Sequence, residues 1–212
     1  MARSLTRDID LDGLALVLKE RGATARHITA IAGPPAAGKS TSADALAEAL
    51  NADDPGSAAV LQMDGYHLDD HILVPAGLRP RKGAPETFDV GGFAAMLRRL
   101  ADNQEDRIAV PVFDRDIEIA RAGARWIPQT VRHLIVEGNW LLLNEHPWSA
   151  LHPLFGTTVF VGVSIEEIKK RLAARWAHLA PDAFRAKIDG NDLPNAEKTL
   201  NHSVFAEFTL RQ

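Results

Sequence analysis

A glycine-rich stretch that contains a lysine and a serine follows a short apolar run in "IAGPPAAGKS", residues 31–40. Gly33, Gly38, Lys39 and Ser40 have the spacing G-x-x-x-x-G-K-[ST], and an Ala- and Leu-rich helical pattern follows directly. Glycines let the backbone wrap closely around an anion, so that successive N–H groups and the helix N-terminus point at phosphate oxygens. The motif therefore predicts a binding site for a nucleoside triphosphate.

A few side chains of this loop are expected to bind the phosphates and Mg²⁺. Lys39 would reach the β- and γ-phosphates, and the Ser40 hydroxyl would ligate Mg²⁺, with Thr41 nearby. A tight strand-to-helix turn with a solvated lysine is the alternative interpretation. The predicted nucleotide-binding residues of the loop are Gly33, Pro34, Pro35, Ala36, Ala37, Gly38, Lys39, Ser40 and Thr41.

Two acidic residues at the ends of apolar runs are candidates for the remaining chemistry. "LIVEG" ends in Glu137 and Gly138, where a carboxylate beside the glycine loop can hold Mg²⁺ directly or through water. "QMDGYHLDD" places Asp64 at the end of another strand, where it can orient a hydroxyl and take its proton. The alternatives are that Glu137 only caps the next turn and that Asp64 is only a turn residue.

Basic residues form a third group of candidates. Arg171 and Arg175 are four residues apart in "SIEEIKKRLAARWAH", so one helical face can bring both to the phosphates, or can serve solubility alone. The cations of "RPRKGAPETFD" could bind a phosphorylated acceptor or steady the transferring group, or could belong to a solvated loop. Asp114 and Arg115, after the extended segment "IAVPVF", could be an ordinary ion pair.

The order of elements predicts how these residues are positioned. Compact apolar runs at 27–33, 58–64, 131–138 and 157–163 alternate with helical patterns, which indicates a parallel sheet covered on both faces. A helix is expected over residues 8–22, and "SVFAEFTL" is expected to form an edge strand or a further core strand. The predicted fold is α/β, a P-loop NTPase fold with a mostly parallel five-stranded sheet flanked by helices, in one domain over residues 1–212 with a small lid over about 164–180.

Composition limits the classes of function. Hydrophobic residues make up 46% of the 212 residues, and the formal net charge of −4 disfavours a nucleic-acid partner. No apolar stretch approaches the length of a membrane span, and "MARSLTRDID" has no apolar signal core, so we expect a cytoplasmic protein without membrane insertion. The absence of cysteine excludes a thiolate zinc site and a cysteine nucleophile.

A P-loop serves switches, motors and phosphotransferases, so the class must come from other residues. The sequence has no guanine-reading N-K-x-D, its D-x-x-G at 53–56 lies in a polar loop, and it has no LSGGQ-like signature. A small-molecule kinase is the class that remains. The ordered segments "GPPAAGKST", "MDGYHLDD", "RKGAPETFD", "PVFDR", "VEGNWLLL" and "NDLPNA" resemble those of the phosphoribulokinase, uridine kinase and bacterial pantothenate kinase group. Within that group the chain most resembles short bacterial nucleoside/nucleotide kinase-like proteins known as fructose transport system kinases.

The resemblance implies an ATP-dependent, Mg²⁺-requiring kinase with Asp64 as base and Lys39 on the phosphates. It further implies that Asn191 and Asn195, in an otherwise turn-rich loop, lie near the adenine. A structural role is the alternative for His67. The residues that the resemblance and the strand ends place in or near the acceptor pocket are Asp64, Tyr66, His67, Arg81, Lys82, Arg115 and Glu137.

The acceptor is left open by the sequence. A sugar, fructose by resemblance, comes first because Asp64, His67 and the arginines are hydrogen-bonding groups suited to polyols. A nucleoside is second, since Tyr66, Phe88 and Phe113 could face a base, and pantothenate is third. An ATP-binding regulator linked to sugar transport, which transfers nothing, is the alternative from another class. The sequence also leaves open a homodimer.

Overall fold

The computed structural model describes residues 6–211, and the strands in that range belong to two sheets. In chain order the strands are β1 (Arg7–Ile9), β2 (His27–Ala32), β3 (Ala58–Gln62), β4 (Arg107–Asp114), β5 (Ile119–Pro128), β6 (His133–Gly138), β7 (Thr157–Gly162) and β8 (Phe208–Arg211). Six of them form a fully parallel sheet in the order β1-β8-β7-β2-β6-β3. The other two, β4 and β5, form a separate antiparallel ribbon.

Helices connect the parallel strands, as crossovers between parallel neighbours require. They are α1 (Leu11–Arg21), α2 (Lys39–Asp53), α3 (Asp70–Leu73), α4 (Val90–Asp102), α5 (Ile165–Trp176), α6 (Pro181–Lys187) and α7 (Leu193–His202). Asp10, Asp89 and Ser164 cap α1, α4 and α5, each accepting a hydrogen bond from a backbone N–H of the first turn. A 3-10 turn, Met63–Tyr66, follows β3, and a π-turn, Ile188–Asp192, precedes α7.

Side chains alternate across the sheet and so build a core on each face. Along β6, Leu134 and Val136 pack in one buried cluster with α4, whereas Ile135 packs in the other cluster with α1 and α2. Both clusters are apolar, which explains why the strands read as nearly continuous hydrophobic runs. A third, smaller cluster joins α5 to the π-turn and α7; it contains Ile168, Leu172, Ile188 and Ala196.

The predicted α/β fold with a mainly parallel sheet flanked by helices is confirmed. The strand number was wrong: the sheet has six strands in the described residues rather than five. The extra strand is Arg7–Ile9, whose three residues are too short to show a period and which therefore merged with the helix expected over 8–22. "SVFAEFTL" contributes β8, an interior strand between β1 and β7. The expected lid, 164–180, contains α5 and remains a prediction, as does the single domain, of which residues 1–5 and 212 lie outside the described range.

In the part of the chain between residues 6 and 211, no helix is both long and apolar enough to cross a bilayer.

The close contact between the ends of β6 and β3 is tested by Gly138→Ala. A Cβ at position 138 would come within 2.5 Å of the Met63 Cβ, so the strand ends would have to separate. We expect a loss of about 1–3 kcal/mol of unfolding free energy, measured by urea denaturation. The matched control is Gly190→Ala, since nothing lies within 4 Å of its added Cβ. Equal stability of the two variants would contradict this packing.

Candidate active site

Three neighbouring strand ends bring the predicted chemistry together. Ala32 at the end of β2 pairs with Gly138 of β6, and Glu137 pairs with Gln62 at the end of β3. The glycine loop and α2 follow β2, and the turn that contains Asp64 follows β3. All three ends open into one cavity of about 670 Å³. The carboxyl edge of a parallel sheet is where open α/β folds bind their ligands.

The glycine loop is shaped to receive an anion. Gly38, with φ 93°, and Ala36, with φ 61°, both have the left-handed backbone conformation. Unlike α1, α4 and α5, helix α2 has no side-chain cap at its first turn. Its first N–H groups therefore remain available to a phosphate, which the partial positive charge of the helix N-terminus also attracts. The loop residues that line the cavity are Pro35, Ala36, Gly38, Lys39, Ser40 and Thr41, whereas Gly33, Pro34 and Ala37 lie behind it.

Lys39 is held across the loop. Its side chain is buried, and Nζ donates a hydrogen bond of 2.9 Å to the carbonyl oxygen of Pro34. Burial lowers the pKa of Lys39 to about 8, although Glu137 and Asp64 favour its charged form. A phosphate that entered the loop would add negative charge beside this ammonium and would raise the pKa of Lys39 back toward its ordinary value.

Glu137 is a buried carboxylate at the centre of the site. Its side chain is 4% exposed. Burial raises the pKa of Glu137 to about 7, with a further increase from Asp64, while Lys39 and a hydrogen bond from Ser40 act in the opposite direction. A carboxyl group that has left water without a full set of partners is suited to a cation as its missing partner.

Asp64 faces the same space and is paired on one side only. Its Oδ2 accepts a hydrogen bond of 3.0 Å from Nη2 of Arg115, which lies just after β4. The Asp64–Arg115 contact joins the antiparallel ribbon to the strand end, so Arg115 pairs with Asp64 and not with its sequence neighbour Asp114. Asp114 is instead paired with Arg121.

The two arginines of α5, Arg171 and Arg175, make different contacts. Arg175 lines the cavity and has no hydrogen-bond or ion-pair partner among residues 6–211. Arg171 does not line the cavity; it pairs with Glu167 at 2.8 Å and donates to the carbonyl oxygens of Ala36 and Ala37 at 3.4 and 3.3 Å. Arg171 thus links α5 to the back of the glycine loop, and Arg175 is the one positioned to meet a phosphate.

Lys82 lines the cavity, but its ammonium group is already paired within the protein. Nζ donates to Asp70 Oδ1 and to the backbone carbonyl of Glu118, both at 2.7 Å. Arg79 bridges the same two residues through their carboxylates. Glu118, in the turn of the ribbon, has a left-handed φ of 51°. These contacts fasten the turn of the ribbon to α3, so that Lys82 acts first as a structural clamp on one wall of the cavity.

Neighbouring residues of the turn after β3 point to opposite sides. His67 lines the cavity. Tyr66 does not: it is buried against Phe93 of α4, with ring centroids 4.7 Å apart. Tyr66 is therefore part of the core and cannot supply the aromatic wall that the sequence suggested, whereas Phe113 lies on the cavity wall.

The two amides near the C-terminus form a buried chain of hydrogen bonds. Asn195 donates to Asn191 Oδ1 at 3.1 Å, and Asn191 donates to the carbonyl of Lys82 at 2.9 Å. Arg81 donates to the carbonyl of Gly190 at 2.7 Å. Of these three, Asn195 lines the cavity, while Asn191 and Arg81 tie the π-turn to the basic loop behind it.

Sequence reasoning did not assign several residues of the cavity wall. They come from the ribbon turn, from the residues after Glu137 and from the region after α5: Glu118, Asn139, Trp176, His178, Lys187 and Asp192. Trp176 donates to Asp192 Oδ2 at 2.8 Å, and Lys187 lies 5.0 Å from the centre of its ring. Their sequence separation gave no signal for this grouping, although the position of Asn139 next to the Glu137 strand end did.

Comparisons with known proteins identify relatives of the whole chain. No protein-family model matches the chain. It is 34% identical over 185 residues to the uncharacterized Escherichia coli protein YggC, covering 84% of this chain and 74% of that one. It is 30% identical over 199 residues to a "putative uridine kinase" of Schizosaccharomyces pombe, covering 88% and 83%.

A solved structure extends the comparison to the fold. The crystal structure of a "putative fructose transport system kinase" from Silicibacter sp. TM1040 matches with a TM-score of 0.87 at 38% identity, covering 95% of this chain and 98% of that one. YFH7 from Saccharomyces cerevisiae, a P-loop-containing protein 17% identical, shares the fold with a TM-score of 0.81. The chain belongs to the P-loop kinases of the uridine kinase and pantothenate kinase group, and it is an ATP-dependent kinase.

The protonation of Glu137 predicts a pH-dependent stability. Because its pKa is raised from 4.5 to about 7, the folded protein keeps a proton that the unfolded chain releases. This contribution is full below about pH 4.5 and is lost as the pH rises to about 7, on the order of 3 kcal/mol. Glu137→Gln removes the titration, so its unfolding free energy should fall less between pH 5 and 7.5 in urea denaturation. Parallel pH profiles of the two proteins would contradict the assignment.

Removing the ammonium group of Lys82 is expected to loosen the turn of the ribbon. Lys82→Met keeps the apolar stem but removes the donor to Asp70 Oδ1 and to the Glu118 carbonyl, while Arg79 still binds Asp70 Oδ2. Amide hydrogen exchange over residues 113–121 should accelerate, while exchange in the parallel sheet stays unchanged. Lys198→Met, which breaks the surface pair with Glu145, is the control. Unaltered exchange at 113–121 in Lys82→Met would show that Lys82 does not hold the turn.

Proposed function

We propose that this kinase transfers the γ-phosphoryl group of Mg²⁺-bound ATP to a hydroxyl of a small polar acceptor, with a sugar such as fructose as the favoured acceptor. The observation that carries the proposal is the convergence of Lys39, Glu137 and Asp64 on three adjacent strand ends around one cavity. These are a phosphate cation, a buried metal carboxylate and a base, the parts that in-line phosphoryl transfer needs.

The chain offers a fitting place for Mg²⁺ beside the glycine loop. Ser40 and Glu137 would hold the ion, since both present oxygen and Glu137 is a buried carboxylate short of partners. No group of three or more His, Asp or Glu side chains within residues 6–211 could hold a metal alone. Two protein ligands suit Mg²⁺, which takes its other ligands from phosphates and water. When bound, the ion neutralises charge on the β- and γ-phosphates.

The proposed step uses the free side of Asp64. The acceptor hydroxyl oxygen forms a bond to the γ-phosphorus while the bond from that phosphorus to the bridging oxygen breaks and its electron pair leaves with ADP. The hydroxyl proton passes to Asp64, whose Oδ2 is occupied by Arg115, so that Oδ1 receives it. Lys39 and Arg175 stabilise the negative charge on the transferring group, and Asn195 is assigned to the adenine side.

The composition of the wall supports a polyol acceptor. Beyond the phosphate loop the cavity is lined mainly by charged and hydrogen-bonding side chains, with Phe113 as an apolar face. The solved structure that matches over nearly the whole chain is named for a fructose transport system. A nucleoside is the second candidate, because Phe113 and Trp176 could each stack on a base.

Lys39→Ala tests the nucleotide half of the proposal. Loss of the ammonium should abolish ATP-dependent turnover and weaken Mg²⁺–ADP binding, because Lys39 is the buried cation held across the loop itself. Turnover is measured as ADP release with fructose, other hexoses, pentoses, nucleosides, pantothenate and glycerate, and binding by calorimetry. Lys198→Ala, on the surface, is the control. Unchanged turnover in Lys39→Ala would remove the mechanism.

Asp64→Asn tests the transfer half. The amide is close in shape but cannot take the proton, so turnover with the stimulating acceptor should fall about a hundredfold to ten-thousandfold while Mg²⁺–ATP binding is retained. The same acceptor panel is used. ATP binding without stimulation by any acceptor would favour an ATP-binding regulator, and full activity of Asp64→Asn would contradict Asp64 as the base.

A further inference from the structure

His67 is fixed in one orientation on the cavity wall. Its ring lies between Phe88 and Phe113, with centroid distances of 4.1 and 4.6 Å. An antiparallel backbone bridge to Phe88 holds its main chain. The side chain is only 8% exposed, so the small exposed part is the part that faces the cavity. Packing against two aromatic rings in a mostly buried position restricts rotation of the His67 ring.

The hydrogen bond of His67 determines which nitrogen carries the proton. Nδ1 lies 2.8 Å from the backbone carbonyl oxygen of Asp64. A carbonyl oxygen only accepts, so Nδ1 must be the N–H donor. Burial lowers the pKa of His67, and the nearby charges of Lys82 and Arg115 act in the same direction, against Asp64. The ring is therefore neutral near pH 7, and Nε2 keeps its lone pair.

Nε2 has no hydrogen-bond partner among residues 6–211, and it belongs to a ring that lines the cavity next to Asp64. Nδ1 of the same ring lies 4.0 Å from Asp64 Oδ1. Because the ring is also anchored through Nδ1 to the backbone carbonyl of Asp64, His67 and the proton acceptor of the proposed reaction are neighbours on the cavity wall. Neighbouring hydroxyls of a polyol present two donors, one for Asp64 and one for Nε2.

We propose that Nε2 of His67 accepts a hydrogen bond from a second hydroxyl of the acceptor substrate, next to the hydroxyl that Asp64 activates. This inference rests on the proposed function and narrows its substrate class to neutral vicinal or 1,3-diols at that end of the molecule. A phosphate or carboxylate in the same place would bring only lone pairs to the lone pair of Nε2 and would be rejected. His67 is in this sense a residue that determines specificity.

A matched pair of variants separates the two nitrogens. His67→Asn places an amide N–H near the position of Nδ1 and so keeps the contact with the Asp64 carbonyl, but it removes the acceptor at Nε2. His67→Gln places an amide oxygen near the position of Nε2 and loses the Nδ1 contact. A merely structural role, carried by the Nδ1 contact, would make His67→Gln the more defective variant, whereas the proposed role makes His67→Asn the one that loses discrimination between acceptors.

The first measurement is the tautomer itself. Nitrogen-15 NMR of the histidine-labelled wild-type protein at pH 7, with two-bond proton correlations, distinguishes the two ring nitrogens. The chain has eight histidines, and the signals of His67 are those absent from His67→Asn. We expect a protonated Nδ1 and an unprotonated Nε2. A protonated Nε2, whether in the other tautomer or in an imidazolium, would overturn the inference without touching the proposed kinase activity.

The second measurement is acceptor kinetics. Fructose, ribose and uridine are each compared with their monodeoxy and monophosphate derivatives. For the parent that is phosphorylated, removal of the hydroxyl next to the reacting one should raise KM about threefold to tenfold in wild type, and a phosphate there should abolish use. His67→Asn should lose the preference for the parent, and His67→Gln should retain part of it.

Two outcomes of the kinetics would overturn the inference. One is a His67→Asn variant that keeps the wild-type preference for the parent over its deoxy derivative. The other is a wild-type enzyme that uses the monophosphate as well as the parent. If wild type phosphorylates none of these compounds, the proposed acceptor class is contradicted, and the tautomer spectrum alone then decides whether Nε2 is a free acceptor.

Discussion

A buried carboxylate at the end of a central strand is the constraint on which the site depends. Glu137 has lost its water and is short of positive partners, so its environment favours a proton or a cation. Because β6 lies between β2 and β3, Glu137 stands between the phosphate loop, which follows β2, and Asp64, which follows β3. The parallel register fixes the distances, while α5 and the ribbon turn supply the walls from outside the sheet.

The fold was predictable from the sequence where a hydrophobic pattern extended over many residues and where a loop carried a specific motif. The run at 27–33, the glycine loop and the following helix could be recognised together, and the buried strands could be read as continuous apolar runs. Strand β1 could not be recognised from the sequence, because its three residues show no period and its neighbour β8 comes from the other end of the chain. The extended segment "IAVPVF" lies in β4, as expected, but its partner strand β5 was missed, since a mostly exposed strand lacks the burial that makes a pattern.

The strand-end residues were predictable because topology alone puts Lys39, Asp64 and Glu137 at one edge. The direction in which each side chain points was not predictable from the sequence. Tyr66 and His67 are adjacent in the same motif, yet the tight turn after β3 sends one into the core and the other to the cavity. Lys82 was expected to meet substrate, but its partners stand 12 and 36 residues away, and no local spacing reports such contacts.

The most direct test of the account is a crystal structure of the protein with Mg²⁺ and a non-hydrolysable ATP analogue. We predict that the triphosphate lies against the loop 33–38 and the first turn of α2, that the metal lies between Ser40 and Glu137, and that the γ-phosphate is turned toward Asp64. A nucleotide bound elsewhere in the cavity, or a γ-phosphate directed away from Asp64 with no metal at Glu137, would contradict it.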